Sequence, residues 1–159
     1  MQARKGFPVT QKLIPATERI LLTLWVGALW VAGFIVAPLL FAELDDRALA
    51  GSLAGSLFTV TSYLGLCCGG LLLIINGLNY RAINWRAVIV ASMLLLVVIG
   101  QFVITPIVVE LRAQGLTDSA RFGQMHGVAS VLFIITSVLG LMLVAAGQKT
   151  GASQTFSGR

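Results

Sequence analysis

Long apolar runs alternate with short polar segments along the chain, and four of these runs dominate the pattern. They cover residues 20–41, 51–78, 85–109 and 124–147. Because an α-helix rises about 1.5 Å per residue, each run can cross about 30 Å of hydrocarbon. A closed barrel would show short alternating segments instead, so only helices can satisfy this backbone in lipid. The pattern predicts an all-α polytopic membrane protein, a four-transmembrane-helix bundle.

Composition supports a single membrane domain. Hydrophobic residues make up 57% of the 159 positions and charged residues only 11%, which lies outside the range of soluble domains. We expect a cytoplasmic leader at 1–19, the membrane domain at 20–147 and a flexible cytoplasmic tail at 148–159. The leader should be irregular as far as "PATER", where Thr17 is a candidate helix cap. The first run is too long for a signal peptide and should remain as an anchor.

Basic residues in the short flanks predict the orientation. The leader, the 79–86 loop and the tail hold most of the 11 lysines and arginines, whereas the other two loops collect acidic residues. Both termini are therefore expected in the cytoplasm, and the membrane is expected to be a bacterial inner membrane. The net charge of +5 is then mainly a topology signal, with attraction to anionic lipid of about 1 kcal/mol per basic residue. The lipid bilayer is the predicted partner, and nucleic acid is not.

A short internal repeat links the ends of the first and third runs. The stretch "FIVAPLLFAEL" at 34–44 aligns with "FVITPIVVEL" at 102–111, so that Pro38 matches Pro106. This match predicts two helical hairpins in parallel orientation, related by an axis along the membrane normal.

Each of the two prolines lacks the N–H that would bond the carbonyl four residues earlier, on Phe34 or Phe102, so a bend is expected there. The hydroxyl of Thr105 is a local candidate to satisfy the freed carbonyl. Two interpretations stay open, since paired bends can simply shape a bundle or can serve as a gate.

Polar residues near the predicted outer surface form the candidate site. Glu43 and Glu110 end the first and third runs, and Arg121 and His126 begin the fourth. With the prolines they define an outer-face cluster of Pro38, Glu43, Pro106, Glu110, Arg121 and His126. A carboxylate drawn into the bundle would need a partner such as Arg112 or Arg121. The alternative is that these side chains lie among headgroups and water.

Metal chemistry has few candidate ligands in this chain. His126 is the only histidine, so a bis-histidine haem cannot form within one chain, while a His–Met site or a site shared across a dimer stays open. Cys67 and Cys68 are adjacent and point to different faces, which disfavours a joint metal site. With three methionines they could form a copper(I) path, or they are packing residues. The methionines are Met93, Met125 and Met142. No metal site and no cofactor are predicted.

Small residues four positions apart predict close approach of helices. The pairs are Ala28/Ala32, Gly51/Gly55, Gly65/Gly69 and Gly123/Gly127. Such pairs serve packing within a bundle or assembly between membrane proteins.

Two motifs resemble those of a known family. "LWVGALWVAGFIVAPLLF" resembles its W-x-G and P-x-x-F pattern and "FGQMHG" its F-x-x-x-H-G pattern. The family comprises small four-helix membrane proteins similar to transmembrane protein 205, whose bacterial members carry domain of unknown function 4149. The resemblance runs from Leu24 to about Leu143, and the matching positions are Trp25, Gly27, Pro38, Phe41, Phe58, Phe122, His126 and Gly127. The family's serine after the histidine appears one place late as Ser130, and Phe133 stands where an asparagine is expected. The resemblance implies no catalytic residue.

Three hypotheses about function follow. The first is a non-enzymatic membrane protein that assembles with itself or serves another membrane complex as an accessory subunit. The second is a small oligomeric transporter or permeation unit that uses the Pro38 and Pro106 bends and the outer-face charges. The third is a metal-binding or haem-binding membrane protein that uses His126. An enzyme is not predicted, because the sequence has no nucleophile–base pair, phosphate-binding loop or paired carboxylates on one helix face.

Overall fold

The computed structural model of the protein describes residues 8–79 and 84–146, with side chains from Leu13 onward. Four helices in this part of the chain are long and apolar enough to cross a membrane. We number them as spans: span 1 is Leu13–Glu43, span 2 is Arg47–Asn79, span 3 is Trp85–Ala113 and span 4 is Ala120–Ala145. The prediction of an all-α protein with four apolar helices of spanning length is confirmed.

Spans 1 and 3 each contain a π-helical turn, and spans 2 and 4 do not. Span 1 consists of α1 (Pro8–Trp30) from Leu13 onward, the π-helical turn Val31–Val36 and α2 (Ala37–Glu43). Span 3 consists of α4 (Trp85–Ile99), the π-helical turn Gly100–Ile104 and α5 (Thr105–Ala113). Span 2 is the single helix α3 (Arg47–Asn79), and span 4 is α6 (Ala120–Ala145).

Side-chain caps fix where spans 2, 3 and 4 begin. The side-chain oxygens of Asp46, Asn84 and Ser119 accept hydrogen bonds of 2.8–3.2 Å from backbone amides two or three residues later. These bonds satisfy donors that have no partner inside the first helical turn. Spans 2 and 4 therefore begin earlier than the predicted positions 51 and 124.

Span 1 differs from expectation at its start. The predicted irregular leader is wrong from Pro8 onward, because α1 begins there and continues through Pro15. Pro8 is the first residue of the helix, where a proline loses no hydrogen bond, whereas Pro15 lies inside it. Thr17 lies inside the helix and its hydroxyl donates to the carbonyl of Leu13 at 3.0 Å, so it is not a cap. The predicted tail at 148–159 lies outside the described residues.

The four spans form a ring in which each contacts two neighbours. Span 1 packs against spans 2 and 4, and span 3 packs against the same two. Trp25 and Met93 have no solvent exposure and Leu143 has 1%, so large side chains fill the interior of the ring at the level of these residues. Five of the six acidic residues lie in the connections 44–46 and 114–119 or at the ends of spans 1 and 3 that lead into them, and we call this end of the ring the acidic end.

Large side chains lie against glycines of neighbouring spans in both halves of the ring. Trp25 of span 1 lies against Gly65 of span 2, and Val26 of span 1 and Met93 of span 3 both lie against Gly140 of span 4. Met93 precedes Pro106 by the same number of residues as Trp25 precedes Pro38. The relation between the two halves stays a prediction from the proline segments.

Candidate functional site at the acidic end

A widened helical turn precedes each of the two prolines. The amide of Ala37 donates to the carbonyl of Ala32, and the amide of Thr105 donates to that of Gly100, both five residues back. Proline has no amide to continue the normal ladder, and one extra residue in the turn redirects the neighbouring bonds. Both positions where a bend was expected therefore carry a π-helical turn, and the bend itself stays a prediction.

The predicted role of Thr105 is wrong in its partner. Its hydroxyl donates to the carbonyl of Gly100 at 2.9 Å and not to that of Phe102. The backbone amide of the same residue also bonds this carbonyl. The Gly100 carbonyl therefore accepts two hydrogen bonds and anchors the turn. In the first copy Ala37 takes the place of the threonine and offers only its amide.

An aromatic cluster lies beside the π-helical turn of span 1. Phe133 of span 4 has its ring centroid 5.6 Å from that of Phe34 and 5.6 Å from that of Phe58 in span 2. A Cβ added at Gly33 would overlap the Phe133 ring, so the absence of a side chain at Gly33 makes room for that ring. Phe133 stands where the family resemblance predicts asparagine, and here it packs between three spans.

The predicted outer-face cluster is not joined by contacts between its side chains. Glu43, Glu110, Arg121 and His126 are all exposed. Within the described chain none of these four side chains forms a hydrogen bond or an ion pair with another of the four. Both prolines are exposed as well. The cluster stays a prediction about a shared surface.

Two members of that cluster have local partners instead. The carboxylate of Glu110 accepts a hydrogen bond of 2.5 Å from the side-chain amide of Gln114, one turn later. The His126 ring stacks on Phe122, with centroids 6.1 Å apart and planes 2° from parallel. Both contacts are between residues one helical turn apart, as an exposed helix surface favours.

Sequence reasoning missed the position of Arg112. A Cβ added at Gly51 would lie 3.4 Å from Nη2 of Arg112, and one added at Gly55 would lie 3.4 Å from Nη1. The guanidinium therefore rests on the first turns of span 2, where the G-x-x-x-G pair was expected to pack against a helix. Arg112 is partly buried there, unlike Arg121.

The chain reversal after span 3 holds Arg112 in place. Gly115 has a φ of 70°, which only glycine adopts readily. Its amide donates to the carbonyl of Arg112 at 3.0 Å, and the amide of Leu116 donates to that of Leu111 at 2.9 Å. These two bonds form a Schellman motif. The sequence "LRAQGL" carries this signal, since a glycine three residues after the arginine marks the helix end.

The sequence of the chain matches the profile of one protein family. The family is the domain of unknown function 4149 (DUF4149), and the match covers residues 20–117. The chain belongs to this family. No curated protein and no solved structure gives a match.

The DUF4149 match ends before span 4 of this member begins. Of the positions named from the resemblance, five lie within the matched residues 20–117: Trp25, Gly27, Pro38, Phe41 and Phe58. The other three, Phe122, His126 and Gly127, lie beyond it. Trp25 is a core residue, whereas Gly27 and Phe41 are exposed.

Span 4 of this DUF4149 member presents an uncovered face toward the acidic end. A Cβ added at Gly123 or Gly127 would meet nothing within 4 Å. His126, Ser130 and both glycines are exposed, and their spacing places them side by side on the helix. The Gly123/Gly127 pair is therefore not used inside the bundle, whereas Gly65 and Gly69 are used to seat Trp25.

Four polar side chains lie in the core of the bundle, and two of them have no hydrogen-bond partner within the described residues. The hydroxyls of Thr61 and Thr136 each donate at 2.8 Å to the carbonyl four residues earlier. The indole N–H of Trp25 and the hydroxyl of Ser137 are buried and have no hydrogen-bond partner within the described residues. Unpaired polar groups are costly in a buried site, so both positions stand out from ordinary packing.

Metal ligands do not converge within the part of the chain that the structure describes. There, no three histidine, cysteine or acidic side chains come together as a possible metal site. Cys67 is exposed and Cys68 is buried, as expected of adjacent residues on different faces. Met93 is in the core while Met142 is 53% exposed, so these two methionines do not line one path.

Proposed function

We propose that this protein is a non-enzymatic membrane subunit that self-associates through span 4. The observation that supports the proposal is the face of Gly123, Gly127 and Ser130, which the bundle leaves uncovered. Lipid offers no hydrophobic driving force between helices, so association depends on close backbone approach and interhelical hydrogen bonds. A small-residue face on a spanning helix supplies the first. For the second, His126 offers its ring nitrogens, and the Ser130 hydroxyl, which donates to the His126 carbonyl at 2.9 Å, can still accept a hydrogen bond.

Symmetry favours a second copy as the occupant of this face. Most homo-oligomers are twofold dimers in which one patch meets itself. Two copies of span 4 meeting at Gly127 would bring their His126 side chains near the twofold axis. The same arrangement would accommodate the shared-histidine hypothesis, in which a metal or haem bridges two chains.

The experiment compares two glycine-to-leucine variants of the full chain reconstituted in lipid vesicles. Single-molecule photobleaching should show mainly dimers for the natural protein and mainly monomers for Gly127→Leu, because a leucine side chain separates the helices. Gly77→Leu is the matched control, since Gly77 is also exposed and open but belongs to no such pair. A monomeric natural protein would disprove self-association. Co-purification from native membrane would then test whether the protein is an accessory subunit of a larger complex.

A transporter is the second candidate function. It is supported by the paired π-helical turns, because such turns are frequent at functional sites, and by the buried polar groups of Trp25 and Ser137. Large side chains fill the interior of one ring. A substrate path would therefore form between copies, so this role also requires an oligomer. Uptake or efflux by vesicles containing the natural protein, lost on Gly127→Leu, would favour this role over passive assembly.

A further inference from the structure

We propose that Arg112 binds the phosphate of an anionic phospholipid headgroup at the acidic end. The site consists of the guanidinium on span 3, the glycine seat of Gly51 and Gly55 on span 2, and the ring of Phe41 on span 1. It lies where three spans meet. This proposal does not depend on self-association, because span 4 contributes nothing to the site.

The charge of Arg112 has no partner among the described residues. Arginine keeps its positive charge at every physiological pH, and a partly buried guanidinium requires anionic or hydrogen-bonding partners. Within the described residues no carboxylate lies within ion-pair distance of Arg112 and no hydrogen bond to its side chain is formed. The nearby acids Asp46 and Glu110 have other partners. The carboxylate of Asp46 caps span 2, and that of Glu110 accepts a hydrogen bond from Gln114.

The pair Gly51 and Gly55 lets the guanidinium approach span 2 closely. A Cβ added at either glycine would lie 3.4 Å from a terminal nitrogen of Arg112. Five donors in a rigid fork suit the oxygens of a phosphate. Arg47 begins span 2 one helical turn before Gly51 and adds a second positive charge on that side of the helix.

The depth of Arg112 in the membrane favours a lipid as the source of the phosphate. Span 3 has 29 residues, so it is about 43 Å long and matches the bilayer with its headgroup layers. Arg112 is its next-to-last residue and therefore lies at headgroup depth. Exposed Phe41, Leu49 and Leu53 lie nearby in sequence on spans 1 and 2, where they would contact acyl chains. Basic pockets between spanning helices bind phosphate headgroups on the cytoplasmic side of membranes, and the same chemistry would operate here at the opposite surface.

The test measures thermal unfolding of the full chain in mild detergent during titration with phosphatidylglycerol. The midpoint should rise with lipid concentration, as it does for any ligand that binds only the folded state. Arg112→Gln should require roughly ten- to a hundredfold more lipid for the same rise, since charge-assisted bonds are lost. Arg121→Gln is the matched control and should behave like the natural protein, because Arg121 is exposed and rests on no seat.

A second variant and two further ligands distinguish the possible outcomes. If Arg112→Gln fails to fold, Gly55→Val retains the charge and displaces the guanidinium, and it should weaken the response in the same way. Phosphatidylcholine should have a smaller effect because its headgroup has no net charge. An equal, Arg112-dependent effect of inorganic phosphate would retain the phosphate chemistry and replace lipid by a free anion. Equal responses of the natural protein and Arg112→Gln to every probe would overturn the proposal.

Discussion

At the scale of single residues, glycine decides which large side chains the core accepts. Gly65 receives the indole of Trp25, Gly140 receives Met93 and Val26, and Gly33 receives Phe133. The sequence predicted a role for small residues from their spacing. It could not predict their partners, because spacing identifies a face of a helix and not the side chain that meets it. Arg112 is the clearest case, since a guanidinium occupies a seat that was expected to receive a helix.

The seat of Trp25 predicts opposite effects of the same substitution at two glycines. Gly65→Ala places a methyl group against the indole ring, and such overpacking should lower the free energy of unfolding by roughly 1–3 kcal/mol. Gly70→Ala meets nothing within 4 Å and should raise it by about 0.5–1 kcal/mol through helix propensity. Unfolding in detergent with increasing denaturant measures both. Equal effects of the two alanines would contradict the packing shown here.

At the scale of elements, the sequence predicted a disturbed helix at Pro38 and Pro106 but not the π-helical turn that precedes each of them. Sequence reasoning could place a disturbed hydrogen-bond ladder before Pro38 and Pro106, because the missing amide is a property of proline itself. Whether the chain bends or widens depends on what packs against it, and Phe133 beside Gly33 is not visible from local sequence. The same limit applies at the start of span 1, where α1 continues through Pro15.

The π-helical turn of span 3 predicts a measurable contribution from one hydroxyl. Thr105→Val keeps the shape of the side chain and removes its bond to the Gly100 carbonyl. We expect the free energy of unfolding to fall by about 0.5–1.5 kcal/mol and amide exchange to accelerate across Gly100–Ile104. Thr105→Ser retains the hydroxyl and should restore most of the protection. Unchanged exchange in the valine variant would show that the backbone bond alone maintains the turn.

At the scale of the whole molecule, composition and run length were sufficient to predict the four apolar helices, because lipid leaves the backbone few alternatives. The order of the spans around the ring needed coordinates, and the parallel repeat stays a prediction from the proline segments. The predicted outer-face cluster shows what sequence lacks: its members are near the same end of the ring by topology, yet their side chains reach local partners such as Gln114 and Phe122.

The orientation of the ring in the membrane is the last prediction, and it follows from the distribution of basic residues. The acidic end should face away from the cytoplasm. A cysteine introduced by Thr117→Cys, an exposed position in the 114–119 connection, should react in intact cells with a maleimide that cannot cross membranes. A cysteine introduced by Ser153→Cys should react only after the membrane is opened. The native Cys67 and Cys68 lie in the middle of span 2, away from the aqueous reagent, so the protein without added cysteine should stay unlabelled. Labelling of position 153 in intact cells would reverse the topology and place the Arg112 site in the cytoplasmic leaflet, where anionic lipid is also present.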